Sequence, residues 1–320
     1  MTRFRWLVPV LTGPAPDPAR PFDGYEQIAL GADQAGFDAL VIPFDTAGDD
    51  SVVVGAAVAR ITRQIAVDIE IQPGSGSPVY LAKLFASLQR ATGGRIALSL
   101  RDRADADFTV SIGETLTDAD HAARLREFVE VFYGIWNETA TAPGTGARFD
   151  YDGTYFQVVG GGLTGILSGT PAPRLSLPSG AVSVPADVVV ASVPVGDADP
   201  FPDAGTAERA LSVPVLGRDD AEEAWADLDE ALRRAGLDVD AAALRVGAHL
   251  WTGFDLLGLR DTVGVVGSHE EVASTLQELG ERYGADEFVL SGLEPIADLY
   301  RAAEHILHRV DSGRRTGVAA

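Results

Sequence analysis

The sequence predicts an α/β fold, a TIM-type (β/α)8 barrel, on three observations. Short apolar runs of strand length alternate with helical patterns from the first residues onward. The alternation resumes after an interruption dense in glycine, proline and serine, and 46% of the 320 residues are apolar, enough to bury a sizeable core. The units suffice for eight strands with one irregular insertion at about 139–206, and one or two helices are expected to be missing or reduced. Residues 1–310 then form one barrel and 311–320 a disordered tail.

Taken in order, "RWLVPVL" reads as a strand, "GYEQIALGADQAGF" as a helix closed by Gly36, and "ALVIPF" as a second strand. "DDSVVVGAAVARIT" follows as a helix, "IAVDIEIQ" as a strand, "SPVYLAKLFASLQRAT" as a helix stopped by Gly93-Gly94, and "RIALSL" as a fourth strand. The long pattern "TDADHAARLREFVEVFYGIWN" opens with Thr117 or Asp118 as its cap. It presents Leu125, Phe128, Val129, Phe132 and Trp136 on one face, which reads as core. "FDYDGTYFQVV" reads as a hairpin turning at Asp152-Gly153, and the rest of the insertion as a long excursion holding one barrel strand. Helices return in "DDAEEAWADLDEALRRAG" and "SHEEVASTLQELGERYG", each entered by a capping residue. The last strand and helix are "DEFVLSGLEPIADLYRAAEHILHRV".

Composition removes several function classes. A formal charge of −22 without a basic stripe argues against nucleic acid and anionic membranes as partners. The longest apolar runs are strand-sized, and the N-terminus reads as a first strand rather than a signal peptide, so a cytoplasmic protein is expected. With no cysteine there is no disulfide, thiolate nucleophile or thiolate ligand, and His121, His249, His269, His305 and His308 lack metal-site spacing.

Several stretches together resemble the bacterial luciferase-like flavin-dependent monooxygenases, most closely the alkanesulfonate monooxygenase branch. They are "YEQIALGADQAGFDALVIP", "IEIQPGSGSPVYLAKLFASLQRATGGRIALSL", "LREFVEVFYGIWN", "FDYDGTYFQV", "RDDAEEAWADLDE" and the segment from "VVGSHEEVASTLQELGERYG" to "AAEHIL". The resemblance implies reduced FMN supplied by a separate reductase and bound at the C-terminal ends of the strands. It also implies a small organic substrate, a sulfonate or a relative, oxygenated with dioxygen. A homodimer, or a heterodimer with a homologous subunit, is implied through the helices near 50–63 and 79–92.

The resemblance also marks departures. Where the family carries a cysteine followed by Glu-Asp-Ser-Trp, this chain has Gly48 followed by Asp49-Asp50-Ser51-Val52. A flavin-contacting asparagine is replaced by Ser99, followed by Arg101 and Asp102. An Arg-x-His pair falls on Ser212 and Pro214, and proline can serve neither as base nor as donor. The lid arginine falls on Gly258, with Arg260 two residues away, and the turn that supplies a tyrosine holds Leu293. The phosphate turn keeps Ser176, Ser179 and Gly180. Pro178, Pro185 and the valines Val182, Val184 and Val188 oppose the helix that would follow it.

The candidates are therefore Asp49, His249 and Arg260 for catalysis, and Ser99, Arg101, Ser176, Ser179 and Gly180 for the cofactor. Gly48, Ser212, Pro214 and Leu293 are candidates for the substrate pocket, and no metal site is expected. Each catalytic candidate has a structural alternative: a helix-cap cluster for Asp49-Asp50, a core histidine for His249, and an exposed loop arginine for Arg260. Two functions stay open at this stage, an oxygenase with a remodelled site and a catalytically degenerate barrel serving as partner subunit or binding protein. A deazaflavin in place of FMN stays open as well.

Overall fold

The structure is a computed structural model that describes residues 2–11, 17–101, 116–141, 148–163, 170–181 and 184–310. The expected tail at 311–320, Asp102 and Val182 lie outside them.

Eight parallel strands close into a barrel: β1 (Arg3–Leu7), β2 (Ala39–Ile42), β3 (Ala66–Ile71), β4 (Ile96–Leu100), β7 (Arg174–Pro178), β8 (Val188–Ser192), β9 (Glu208–Arg218) and β12 (Glu287–Ser291). Register passes Arg5↔Ala39, Val41↔Asp68, Ser99↔Ser176 and Val190↔Ala210, and closes at Val289↔Ser212 and Arg5↔Val289. Alternate residues point to opposite faces, so each strand has an outward apolar set and an inward set. Trp6, Leu40, Val67, Ile69, Leu98 and Leu175 pack outward in the main core. Leu7, Val41, Val188, Ala210 and Val289 form a separate small cluster in the lumen.

Helices α1 (Asp23–Ala35), α2 (Ser51–Ile61), α3 (Pro78–Thr92) and α4 (Asp118–Thr141) cover the first half. Their boundaries follow local chemistry. Asp50 caps α2 by accepting from the backbone N–H groups of Val52 and Val53, and Gly36 and Gly93 close α1 and α3 in the left-handed conformation. Thr117 caps α4, its hydroxyl accepting from the Asp120 N–H while the Asp120 carboxylate accepts from the Thr117 N–H. Leu125, Phe128, Val129, Phe132 and Trp136 are all buried. The hairpin is present as β5 (Phe149–Asp152) and β6 (Gln157–Gly161).

Three elements differ from expectation. The first strand ends at Leu7, with one further ladder bond from Val8, because Pro9 has no N–H to continue it. Among the described residues the 139–206 stretch holds two barrel strands rather than one, β7 and β8, and neither is followed by a helix. Pro185 interrupts the first connection, and Pro194, Pro200 and Pro202 the second.

The second half also carries an extension. The last four residues of β9 pair with β11 (Val263–Ser268), which in turn pairs antiparallel with β10 (Leu250–Thr252). Helix α5 (Ala221–Arg234) and helix α6 (His269–Tyr283) pack on this side. Helix α7 (Pro295–Ala302) follows β12 and runs into a π-helical turn through Leu307.

Candidate active site

The lumen is ionic where barrels of this kind are usually filled by branched apolar side chains. In its lowest layer Arg3 and Arg174 meet the fully buried Glu287 at 2.5 and 2.8 Å, and both also pair with Glu208. One layer up, Arg5 donates to Asp68 at 2.8 Å and to the Ser176 hydroxyl at 3.1 Å, and pairs below with Glu287. Asp68 accepts further from Ser99 at 2.8 Å and Ser176 at 3.4 Å. Burial raises the Asp68 carboxyl above its ordinary pKa, while the Arg5 charge and the Ser99 hydroxyl pull the other way.

The mouth is the third layer. Arg260 reaches Glu70 with contacts of 2.7 and 2.9 Å, and Arg101 lies 3.8 Å from the same carboxylate while donating to the Phe44 carbonyl at 2.9 Å. Partial burial works against the charge on Arg260, but Glu70 outweighs it and raises the guanidinium's pKa. Asp261, beside it, accepts from Ser212 at 2.6 Å and from Ser192. Both residues arrive on a strap that leaves β10, turns through Phe254–Leu257 and Gly258, and returns to β11. The strap is anchored by Phe254, buried edge-on against Trp251, and by the bond from the Phe254 N–H to the Thr262 carbonyl.

Arg260 and Arg101 divide two joined spaces. Beneath them lies an inner cavity of about 210 Å³ lined by Arg5 and Asp68, by the charged residues of the mouth, by the four serines Ser99, Ser176, Ser192 and Ser212, and by apolar residues such as Leu7 and Val289. Above lies an outer cleft of about 550 Å³ over the ends of β1, β2 and β12, walled by Val8, Phe44, Leu257, Leu259 and Leu293 among others. Leu7, Arg101 and Arg260 line both. The combined volume is in the range of ordinary ligand sites.

The expected residues divide accordingly. Ser99, Arg101, Ser176, Ser212 and Arg260 come together around the inner cavity, and Leu293 lines the outer cleft. The others lie elsewhere. Asp49 is exposed beside the Tyr25 hydroxyl, and at Gly48 a Cβ would come within 2.5 Å of Val10. His249 sits on the β10 side, 4.0 Å from Glu271 near the start of α6. Pro214 is buried in β9 opposite Ser291. Ser179 donates to the Pro200 carbonyl at 2.5 Å, and Gly180 takes a left-handed turn beside a third cavity of about 330 Å³. Among the described residues no helix starts there.

Sequence reasoning missed Arg5, Asp68, Glu70, Asp261 and Glu287. The signal was present as period: in "RFRWL" and "VDIE" the charged residues recur every second position, which puts Arg3 with Arg5, and Asp68 with Glu70, on one strand face.

The whole arrangement has known relatives in shape. It is similar to a riboflavin lyase solved with modified FMN and its substrate riboflavin, at a TM-score of 0.73 and 19% identity over 100% of this chain and 92% of that one. An EDTA monooxygenase from Chelativorans sp. BNC1 matches at 0.71 and 18%, over 98% and 94% of the two chains. A coenzyme F420 dependent tetrahydromethanopterin reductase from Methanopyrus kandleri matches at 0.68 and 18%, over 97% and 99%. At such identities the likeness speaks to the fold. Kinship comes from the sequence: residues 2–194 match the family model described as luciferase-like monooxygenase, and the chain belongs to that family.

Proposed function

We propose that this protein is a flavin-dependent monooxygenase acting on a small organic compound at the C-terminal mouth of its barrel. One observation carries the reading. The two joined spaces lie at the strand ends where barrels of this type place their chemistry, and they pair an apolar-walled cleft with a polar chamber. The outer cleft suits a flat ring system: Val8, Phe44, Leu257, Leu259 and Leu293 supply apolar walls, and Arg101 and Arg260 present guanidinium groups at its floor. Leu293 removes a hydroxyl from this wall but keeps water out of it.

A bound reduced flavin would supply the electrons that activate dioxygen. The chain's own part is to hold the ring against these walls, to orient its polar edge with Arg101 and Arg260, and to shelter the inner cavity from solvent. FMN and a deazaflavin share the ring shape, and the ring-binding walls suit either. The phosphate end would lie outside the Ser176–Gly180 turn, since Ser176 is spent on Arg5 and Asp68 and Ser179 on Pro200.

A second reading has its own support. The Arg260–Glu70 pair spans the mouth, as it would in a degenerate subunit that no longer admits a cofactor. Anaerobic titration with reduced FMN, followed by mixing with oxygenated buffer, separates the two. Micromolar binding with reoxidation slower than that of free reduced FMN is expected of the oxygenase. Absence of binding for both reduced FMN and a reduced deazaflavin would leave the degenerate subunit.

A further inference from the structure

The charges around the inner cavity cancel. Three guanidinium groups line it, from Arg5, Arg101 and Arg260, and three carboxylates, from Asp68, Glu70 and Asp261. Asp68 answers Arg5, Glu70 answers Arg260 and Arg101, and Asp261 accepts from two hydroxyls while its charge also favours the Arg260 guanidinium. The hydroxyls are also committed: Ser99 and Ser176 donate to Asp68, and Ser192 and Ser212 donate to Asp261. A serine that has given its proton to a carboxylate has only lone pairs left to offer. The serine walls therefore present acceptors, beside the guanidinium N–H groups of Arg5, Arg101 and Arg260, in a space of about 210 Å³.

We propose that the inner cavity is a subsite for a small uncharged molecule that both donates and accepts hydrogen bonds, as an amide does, and that it rejects anions. A sulfonate, the substrate the sequence resemblance suggests, would meet no uncommitted cation there. To take Arg260 it would have to strip Glu70 of its partner, and Glu70 is only 5% exposed, so a buried carboxylate would be left with the Phe44 N–H at 3.3 Å and Arg101 at 3.8 Å. As a statement about substrate, the proposal rests on the monooxygenase reading; as a statement about binding, it stands without it. The cavity opens to the cleft between Leu7, Arg101 and Arg260, so its occupant would lie against the ring edge there.

The test is ligand-observed NMR on the flavin-free full chain with acetamide and methanesulfonate as probes. Acetamide is expected to bind, and methanesulfonate to bind at least about tenfold more weakly. Glu70→Gln removes one carboxylate and releases two guanidinium groups, so methanesulfonate binding should appear in that variant. Asp261→Asn, which also leaves the cavity one unit more positive, should shift preference the same way if Glu70→Gln does not fold. Equal binding of both probes to the unaltered protein, or none by acetamide, would overturn the subsite. Titration with reduced FMN is scored separately: flavin binding without acetamide binding sinks the subsite and keeps the oxygenase, and the reverse result does the opposite.

Discussion

Asp68 and Arg260 are the two side chains on which the mouth and lumen depend, and they differ in exposure. Asp68 is 1% exposed, and its pKa is raised because burial outweighs the help of Arg5. A carboxyl raised on folding contributes stability that is fully present below its unfolded value, near 3.9, and is lost as pH climbs through the folded value. The unaltered protein should therefore lose ground to Asp68→Asn as pH rises from about 4 toward neutrality. Urea denaturation of both proteins across that range measures it, and a gap that stays constant with pH would contradict the assignment. The side chain of Arg260 is 38% exposed but Glu70 is buried, so Arg260→Ala leaves a buried carboxylate without its main partner and should destabilise the fold by about 1–3 kcal/mol. The same substitution removes a guanidinium from the cleft floor, so weaker reduced-flavin binding, compared at a temperature where both proteins are folded, is the expected result.

These residues also show what one sequence discloses. Arg101 and Arg260 were found because the resemblance placed them near family positions, and both line the mouth. Asp68 and Glu70 were passed over because an alternating strand is ordinarily read for its apolar set, and the polar set is taken as solvent-facing. In a closed barrel the second face is the lumen. Asp261 could not be read at all, since its place at the mouth depends on a strap whose path is set by the distant anchor of Phe254 on Trp251.

At the scale of elements, the caps were legible because they are local. Asp50 accepts two backbone N–H bonds at the start of α2, and Ser268 with Glu271 forms a complete capping box on α6. Asp50→Ala and Ser268→Ala should each cost about 1 kcal/mol in chemical denaturation without altering flavin binding. A loss of flavin affinity in Asp50→Ala at unchanged stability would instead move the Asp49-Asp50 pair into the site. What was not legible at this scale is the pairing of β11 with the end of β9. That contact joins residues about fifty apart in sequence, and no local pattern in "VGVVGS" distinguishes a barrel strand from an extension of one.

For the molecule as a whole, the salt-bridged lumen and the outer surface raise separate questions of charge. Inside, carboxylates and guanidinium groups are matched within each layer; outside, the formal charge of −22 is unbalanced and sets how copies of the chain meet. On helices α2 and α3, where the resemblance implies a dimer contact, Val53 and Tyr80 are 53% and 59% exposed. Burying such side chains favours association, and the net charge opposes it through a repulsion that salt screens within about 8 Å at physiological ionic strength. The dimer is therefore expected to strengthen as salt is added, the reverse of an interface held by opposite charges. Light scattering across a salt series measures this directly. A mass that rises toward two chains with salt supports an apolar contact, and Tyr80→Glu should then hold the protein at one chain throughout. A monomeric mass at every salt concentration would remove the dimer and leave the site to be completed within a single barrel.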